Sequence, residues 1–157
     1  MLYDTELASP VGVLTLLAEE DALLGLWIAG QKFHGSALLQ AARRGDCPAL
    51  RAAEDWLARY FAGQAPDPWA LSLRPAGTAF QRRVWEALRR IPYGATRSYG
   101  DLARELGTSP RAVGAAAGRN PISILIPCHR LMGADGNLTG YAGGLAVKEA
   151  LLRLEGV

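Results

Sequence analysis

The sequence predicts an α/β protein of the α+β type, in which a small antiparallel N-terminal sheet with helices precedes a helical C-terminal part. Three observations support this prediction. Short strand-like stretches fill residues 2–28, residues 63–77 are rich in proline and glycine, and apolar residues recur at helical spacing after Thr78. We therefore expect two domains, residues 1–77 including a linker and residues 78–157.

The N-terminal part begins with a predicted meander. Residues 2–8, 11–18 and 22–28 are expected to be strands, joined at Ser9-Pro10 and at the acidic turn 19–21. Turn residues separate each pair of stretches, so neighbouring strands can pair directly. We expect other elements to cover one face of this sheet.

Two helices are predicted after the meander. Residues 36–44 are a short candidate that Gly45 ends, and residues 48–61 are a longer one with Pro48 in its first turn. The longer helix carries an apolar stripe made of Leu50, Ala53, Leu57 and Phe61.

The C-terminal part opens with a helix that has a clear start signal. Thr78 and Gln81 form a capping-box pattern, and Pro92 ends the helix. Its apolar stripe consists of Phe80, Val84, Trp85, Leu88 and Ile91.

Two short helices come next and form a helix-turn-helix pattern. Ser98 caps a helix that runs to Leu106, and Gly107 ends it. Ser109-Pro110 then begins a second helix that reaches about Gly118. A last helix is predicted from Leu145 to Glu155.

The second of these short helices is poor in side chains that could read base edges, since residues 112–118 are Ala, Val and Gly alone. Two interpretations stay open. Small residues permit close packing within the protein, and they also permit a smooth helix to approach DNA in the minor groove. Opposite faces of one helix could serve both purposes.

The stretch from Asn120 to Arg130 carries the candidate chemistry. Ile122–Ile126 is an apolar run bounded by prolines, which predicts a buried extended segment, and Pro127 ends it. Cys128 follows directly, next to His129 and Arg130, a setting that favours a thiolate nucleophile. The alternative is that Cys128 is a small buried hydrophobic residue.

The adjacency of Cys128 and His129 sets a geometric condition. Neighbouring side chains on a strand point to opposite faces. His129 therefore reaches the sulfur only if the chain turns here or if a water molecule lies between them. A third group is also needed to orient the imidazole.

The distribution of charge along the chain indicates the kind of binding partner. Residues 1–77 hold six Lys/Arg and nine Asp/Glu, and residues 78–157 hold eleven Lys/Arg and six Asp/Glu. A basic half that could bind a polyanion therefore follows an acidic half.

We expect a cytoplasmic protein, because no stretch could span a bilayer and no signal peptide is visible. Its two cysteines are not expected to form a disulfide. Nor do His34 and Cys47 offer metal-ligand spacing with Cys128 and His129.

The stretches Ile126–Arg130 and Thr139–Glu149 resemble the active-site region of the O6-alkylguanine-DNA alkyltransferases, the methylated-DNA–protein-cysteine methyltransferases. The similarity runs from about Thr78 to Gly156. It implies a ribonuclease H-like N-terminal domain and irreversible transfer of an alkyl group from guanine to Cys128. Double-stranded DNA containing O6-alkylguanine is the implied partner of a monomeric protein that needs no cofactor and no metal.

The resemblance also implies site residues. The catalytic group would be Cys128, His129, Glu155, Tyr99 and Asn120. Arg111 would fill the space that the flipped base leaves in the duplex, and Tyr141 would form a wall of the pocket that receives this base. The backbone at Cys128, Leu131 and Ala142 would read the guanine edge. Contacts to DNA would come from Ser98, Tyr99, Arg111, Ala112, Gly114, Ala115 and Arg119.

Two other classes of protein share some of these features. A lesion-binding relative without chemistry would keep the base-flipping residues and lack the cysteine. A cysteine hydrolase could use Cys128, His129 and Glu155, but it would need an oxyanion hole and would leave the helix-turn-helix pattern without a role.

Overall fold

The N-terminal sheet is mixed. The computed structural model of the chain describes residues 1–31, 35, 37–134, 136, 141 and 144–157. Its N-terminal strands are β1 (Leu2–Leu7), β2 (Leu14–Glu19), β3 (Ala22–Ile28) and β4 (Arg43–Arg44). Their order is β3-β2-β1-β4; β1, β2 and β3 are antiparallel, whereas β4 runs parallel to β1. The predicted meander is confirmed, and the prediction of a purely antiparallel sheet is wrong.

The parallel edge strand has a local cause. The helix predicted at residues 36–44 is helical at α1 (Ala37–Ala41), after which the chain extends beside β1. Arg44 lies 3.6 Å from the Asp4 carboxylate and 3.5 Å from that of Glu6, both on β1. A connection that contains a helix can return the chain in the direction of β1, which a tight hairpin cannot do.

Helix α2 (Pro48–Phe61) covers the sheet and has the predicted bounds. The predicted stripe packs inward, with Phe61 partly buried, and Trp56 and Tyr60 are buried as well. Together with the buried leucines and isoleucine of β2 and β3, this face of α2 forms the hydrophobic core of this half.

The edge of β3 is covered by two segments from later in the chain. Leu23 donates to Ser72 O at 2.9 Å, and Arg74 donates to Leu23 O at 2.8 Å, so the predicted linker lies along this edge. Further along, Leu26 donates to Pro121 O at 2.9 Å. The sheet therefore holds the segment that leads to Cys128.

The C-terminal helices follow the predicted start and stop signals. They are α3 (Ala79–Arg89), α4 (Tyr99–Leu106), α5 (Pro110–Gly118) and α6 (Leu145–Leu154). The Thr78 capping box is present, and the Ser98 and Ser109 hydroxyls cap α4 and α5. Between those two helices, Gly107 has φ 68°, a left-handed conformation that suits glycine.

This half is not purely helical. β5 (Arg97–Ser98) pairs in parallel with β6 (Leu131–Met132), which joins the start of α4 to the segment after His129. None of the helices in the described ranges is long and apolar enough to cross a membrane.

Candidate active site

The segment before Cys128 is a tight buried turn. All residues from Ile122 to Ile126 are buried, but the predicted extended segment is wrong: Ile122 makes one isolated bridge to Leu26, and Ile126 N donates to Ile122 O at 3.0 Å. Ile124 has φ 72°, a conformation that is costly for a β-branched residue. Burial and hydrogen bonding of the turn outweigh the β preference of isoleucine.

Asn120 holds this turn together and contacts the thiol. Its Oδ1 accepts from Ile122 N at 2.9 Å, and its Nδ2 donates to Ile126 O at 2.8 Å. The same Nδ2 lies 3.3 Å from Cys128 Sγ. One buried amide therefore fixes the sulfur relative to the turn that carries it.

Cys128 lies in a 3₁₀ turn, Cys128–Arg130, whose three residues are all buried. The thiol is 6% exposed, and this burial raises its pKa, while the hydrogen bond from Asn120 and the positive charge of Lys148 act in the opposite direction. The expectation that Arg130 favours the thiolate is wrong, because its guanidinium binds Glu155 instead. Activation of the sulfur therefore requires a base.

His129 and Glu155 form a buried contact that joins the turn to the end of α6. His129 Nε2 lies 2.7 Å from Glu155 Oε2, and neither side chain is exposed. The structure thus brings together two of the residues predicted for the site across 26 positions. Glu155 therefore lies where it can orient the imidazole, the purpose for which a third group is expected.

Arg130 clamps the same carboxylate. Its Nε donates to Glu155 Oε1 at 2.7 Å and its Nη2 donates to Oε2 at 3.0 Å, while its Nη1 donates to Ile91 O at 2.6 Å. Burial alone would raise the pKa of Glu155, but the hydrogen bonds from His129 and Arg130 lower it to about 2. The carboxylate is therefore ionised at neutral pH, although it lies at a helix C-terminus.

The ionised carboxylate determines the form of His129. Burial lowers the pKa of His129, and although the bond to Glu155 opposes this, the imidazole stays neutral. Because an ionised carboxylate can only accept, Nε2 must carry the ring proton, which leaves a lone pair on Nδ1. Nδ1 has no hydrogen-bond partner among the described residues. This nitrogen is suited to receive a proton from the thiol.

Lys148 is a buried charge beside the site that sequence reasoning missed. Its Nζ donates to the carbonyl oxygen of Leu131 and lies 5.9 Å from the centre of the Tyr99 ring. Burial lowers the pKa of Lys148, and the charge of Cys128 opposes this. The helical periodicity of α6 shows on which face of the helix Lys148 lies. No local sequence signal indicates that a lysine on this face is buried.

The two faces of α5 differ sharply. Val113, Ala116 and Ala117 are buried, and Trp85 donates to Ala116 O at 2.9 Å. Three of the residues predicted to contact DNA are exposed, namely Arg111, Ala115 and Arg119. They are four positions apart, and Arg119 is the C-cap of α5, so they lie along one side of the helix. Close packing inside the protein and an exposed outer face therefore coexist.

The remaining predicted DNA contacts, Ser98, Tyr99, Ala112 and Gly114, are half-buried. A methyl group added at Gly114 would lie 3.7 Å from the Tyr99 ring, so α5 passes close to this half-buried side chain. Ser98 caps α4 through its hydroxyl, and Ala112 is half-buried.

Tyr141 stands beside His129. The two rings are 6.5 Å apart and nearly perpendicular, and burial raises the pKa of Tyr141 well above its ordinary value. Ala142 and His34 lie outside the described residues. In the part of the chain that the structure describes, no three His, Cys, Asp or Glu side chains cluster as metal ligands would, and Cys47 and Cys128 are free thiols.

A buried thiol that is followed directly by a neutral imidazole, itself in contact with an ionised carboxylate, is typical of the class of proteins that use a cysteine nucleophile. Comparison with known proteins narrows this class. Residues 79–157 match the family described as 6-O-methylguanine DNA methyltransferase, DNA binding domain. Relatives from Mycobacterium bovis and Methanosarcina acetivorans, both called methylated-DNA–protein-cysteine methyltransferase, are 45% and 39% identical over 99% of this chain, covering 93% and 99% of their own lengths.

Solved structures agree. The Mycobacterium tuberculosis O6-methylguanine methyltransferase has a TM-score of 0.87 and 44% identity, covering 99% of this chain and 93% of its own. The Mycobacterium tuberculosis protein OGT in complex with DNA has a TM-score of 0.85 at 44% identity, covering 98% and 92%. The chain therefore belongs to the O6-methylguanine DNA methyltransferase family, a family of protein-cysteine methyltransferases for methylated DNA, and the resemblance noted in the sequence is confirmed.

Proposed function

We propose that this protein repairs double-stranded DNA by moving the alkyl group of O6-alkylguanine onto Cys128. The observation that carries the proposal is the 3₁₀ turn at Cys128–Arg130, which sets the thiol beside an imidazole whose Nε2 is held by Glu155 at 2.7 Å. The names of the relatives and the DNA complex of the Mycobacterium tuberculosis protein support the same substrate class.

The chemistry begins with a proton transfer. Nδ1 of His129 takes the thiol proton through one water molecule, because Nδ1 makes no hydrogen bond to Cys128 Sγ in the structure. The hydrogen bond from Asn120 and the charge of Lys148 stabilise the thiolate that forms. The sulfur then attacks the alkyl carbon in line, the carbon–oxygen bond breaks, and guanine leaves as its anion or takes a proton from Tyr99.

The target base must leave the helix for this reaction. An alkyl group on the base-pairing edge is inaccessible while the base is stacked, so we propose that the nucleotide is flipped. Arg111, exposed at the start of α5, would fill the space left behind. Tyr141 would wall the pocket, and the backbone at Cys128, Leu131 and Ala142 would bind the guanine edge.

We propose that helices α4 and α5 act as a helix-turn-helix that enters the minor groove. The outer face of α5 is suited to this, since Ala115 is small and Arg111 and Arg119 stand at either end of it. The excess of basic residues after Thr78 would contact phosphates, with little sequence preference. A protein that searches for damage in any sequence needs this mode of binding.

The product is a thioether, which water does not hydrolyse, so each molecule acts once. The reaction needs no cofactor or metal. We further propose that residues 1–77 and 78–157 are separate domains, the first ribonuclease H-like, in a cytoplasmic monomer whose thiols stay reduced.

Incubating the protein with duplex DNA that carries a labelled alkyl group on guanine tests the proposal. Label on the peptide that contains Cys128 is the expected result. Binding without transfer would instead indicate a lesion-binding protein. Catalytic release of a small acid or amine from acyl substrates would indicate a cysteine hydrolase.

A further inference from the structure

The Glu155 carboxylate has a donor from the other half of the chain. Tyr60, on α2, donates its hydroxyl hydrogen to Glu155 Oε2 at 2.6 Å across 95 positions. Oε2 is the oxygen that His129 Nε2 also contacts, at 2.7 Å. The tyrosine hydroxyl and the imidazole therefore share one acceptor atom.

The structure keeps Tyr60 in place from several sides. Its side chain is 0% exposed, its ring stacks on Trp56 at 5.4 Å, and Tyr93 packs edge-on at 6.0 Å. The hydroxyl can therefore turn only a little from Oε2. A buried tyrosine can be held this way for packing alone, but packing alone does not require its oxygen to reach a carboxylate.

We infer that Tyr60 is a positioning residue of the alkyl-transfer site, which orients the Glu155 carboxylate and limits how strongly it binds His129; the inference rests on the proposed function. Through this contact residues 1–77 contribute to the site directly. The N-terminal half is thus part of the reaction machinery as well as a packing partner.

The charge on Oε2 determines how strongly the Glu155 carboxylate binds His129. Burial and the charge of Glu155 raise the pKa of Tyr60 far above its ordinary value, so its hydroxyl is a neutral donor at every working pH. The Tyr60 hydroxyl, which donates to Oε2 in addition to His129 Nε2 and Arg130 Nη2, draws charge away from the bond to His129. Without it, the carboxylate would stabilise the protonated imidazole more strongly, and His129 would be a base at higher pH only.

Tyr60→Phe removes the hydroxyl and keeps the ring. The other titratable groups that face His129 and Glu155 stay in place, namely Arg130, Lys148, Cys128 and Tyr141. We expect the rate of alkyl transfer to fall roughly three- to ten-fold at neutral pH. The acid limb of its pH profile should move upward by up to about one pH unit.

Tyr93→Phe is the matched control. The Tyr93 hydroxyl donates to the carbonyl of Leu154 at 3.1 Å, and the ring belongs to the same aromatic cluster, so Tyr93→Phe removes a hydrogen-bonded tyrosine hydroxyl from a half-buried residue. This variant should keep the pH profile of the parent. DNA affinity should be unchanged in both variants.

The experiment measures transfer rates against pH for the parent protein and the two variants, with thermal unfolding to verify the fold. If the parent transfers no alkyl group, the proposed function fails. If the parent transfers it and Tyr60→Phe keeps the parent's pH profile, or shifts it no further than Tyr93→Phe, the inference is overturned.

A measurement on the parent protein covers the case in which Tyr60→Phe does not fold. His129 is one of two histidines, so its ring signals can be assigned by nuclear magnetic resonance. We expect a slowly exchanging Tyr60 hydroxyl proton with a through-space contact to the Nε2 proton of His129. Absence of that contact at every pH at which the protein is folded would also overturn the inference.

Discussion

The surroundings of the Glu155 carboxylate and the outer face of α5 differ in burial and in the number of hydrogen bonds they contain. Glu155 is buried and accepts hydrogen bonds from Tyr60, His129 and Arg130. The face that carries Arg111, Ala115 and Arg119 is exposed. Chemistry needs groups whose positions are fixed before the substrate arrives, whereas DNA binding needs a surface that is exposed to solvent.

The contrast predicts that changes inside the cluster affect the chemical step and changes on the α5 face affect duplex DNA. We expect the largest loss of alkyl transfer when the sulfur of Cys128 is replaced. Cys128→Ser should reduce alkyl transfer to background and leave DNA binding intact, because a serine hydroxyl is a far weaker nucleophile. Transfer of labelled alkyl groups and a DNA-binding titration measure the two properties.

Cys47→Ser is its control. Cys47 is the other thiol and stands at the N-cap of α2, where serine is well tolerated. It should retain transfer. Substantial transfer by the Cys128→Ser variant would show that the acceptor is another group.

Glu155→Gln should reduce both stability and rate. Removing the charge leaves the Arg130 guanidinium buried without its ion pair, which we expect to cost about 3 kcal/mol of unfolding free energy. The imidazole also loses the carboxylate that orients it, so transfer should slow strongly. Urea unfolding and single-turnover kinetics test the two effects, and unchanged stability would contradict a buried charged cluster.

The same carboxylate predicts how stability depends on pH. The pKa of Glu155 is lowered to about 2 in the folded protein. Its contribution is therefore present above its ordinary pKa and is lost as pH falls from about 5 to about 2, on the order of 3 kcal/mol in total. Unfolding free energies of the parent and of Glu155→Gln should converge over that range. A constant difference between them would contradict the assignment.

On the α5 face, Arg111→Ala should slow repair in duplex DNA by roughly ten-fold, since flipping costs a few kcal/mol. Reaction with free O6-alkylguanine should change little. The control is Arg153→Ala, which removes an exposed charge on α6 that pairs with Glu149. Equal losses with duplex and free base would eliminate the proposed role of Arg111 in base flipping.

The smallest predicted effect is at Gly114. Its added methyl group would meet Tyr99 at 3.7 Å, an ordinary contact, so Gly114→Ala should stabilise α5 by about 0.5–1 kcal/mol. If DNA approaches the backbone at Gly114, the Gly114→Ala variant should bind DNA more weakly than the parent protein. Gly118→Ala, with nothing within 4 Å of the added methyl, should be neutral for DNA binding. Equal DNA affinity for all three proteins would place Gly114 away from DNA.

Much of the fold could be predicted because its signals are local. The cap at Thr78, the serines that precede α4 and α5, and the proline that opens α2 all lie within a few residues of the ends they mark. The three strands of the meander were also predicted, within a few residues of their bounds.

The differences come from long-range contacts. Strand β4 exists because Arg43–Arg44 pairs with β1, and Ile122–Ile126 turns because Asn120 and the edge of β3 bind its backbone. Neither partner is visible within the segment itself. Local propensity therefore predicted a helix end and an extended segment at these positions.

The residues of the site likewise fall into those that the sequence indicates and those that only long-range contacts reveal. Cys128 and His129 were identified by their adjacency, and Glu155 by resemblance, and the structure brings His129 and Glu155 together. The enclosure of Lys148 and the hydroxyl of Tyr60 were missed, because burial and a contact over 95 positions leave no sequence pattern.

We propose that one sulfur atom, that of Cys128, accepts one alkyl group and keeps it. The most direct test is to react the protein with an excess of duplex DNA containing O6-methylguanine and to weigh the intact protein and its peptides by mass spectrometry. We predict that repair stops when each protein molecule has gained one methyl group, located on Cys128. Repair that continues beyond one event per protein, or a methyl group on any other residue, would contradict the account.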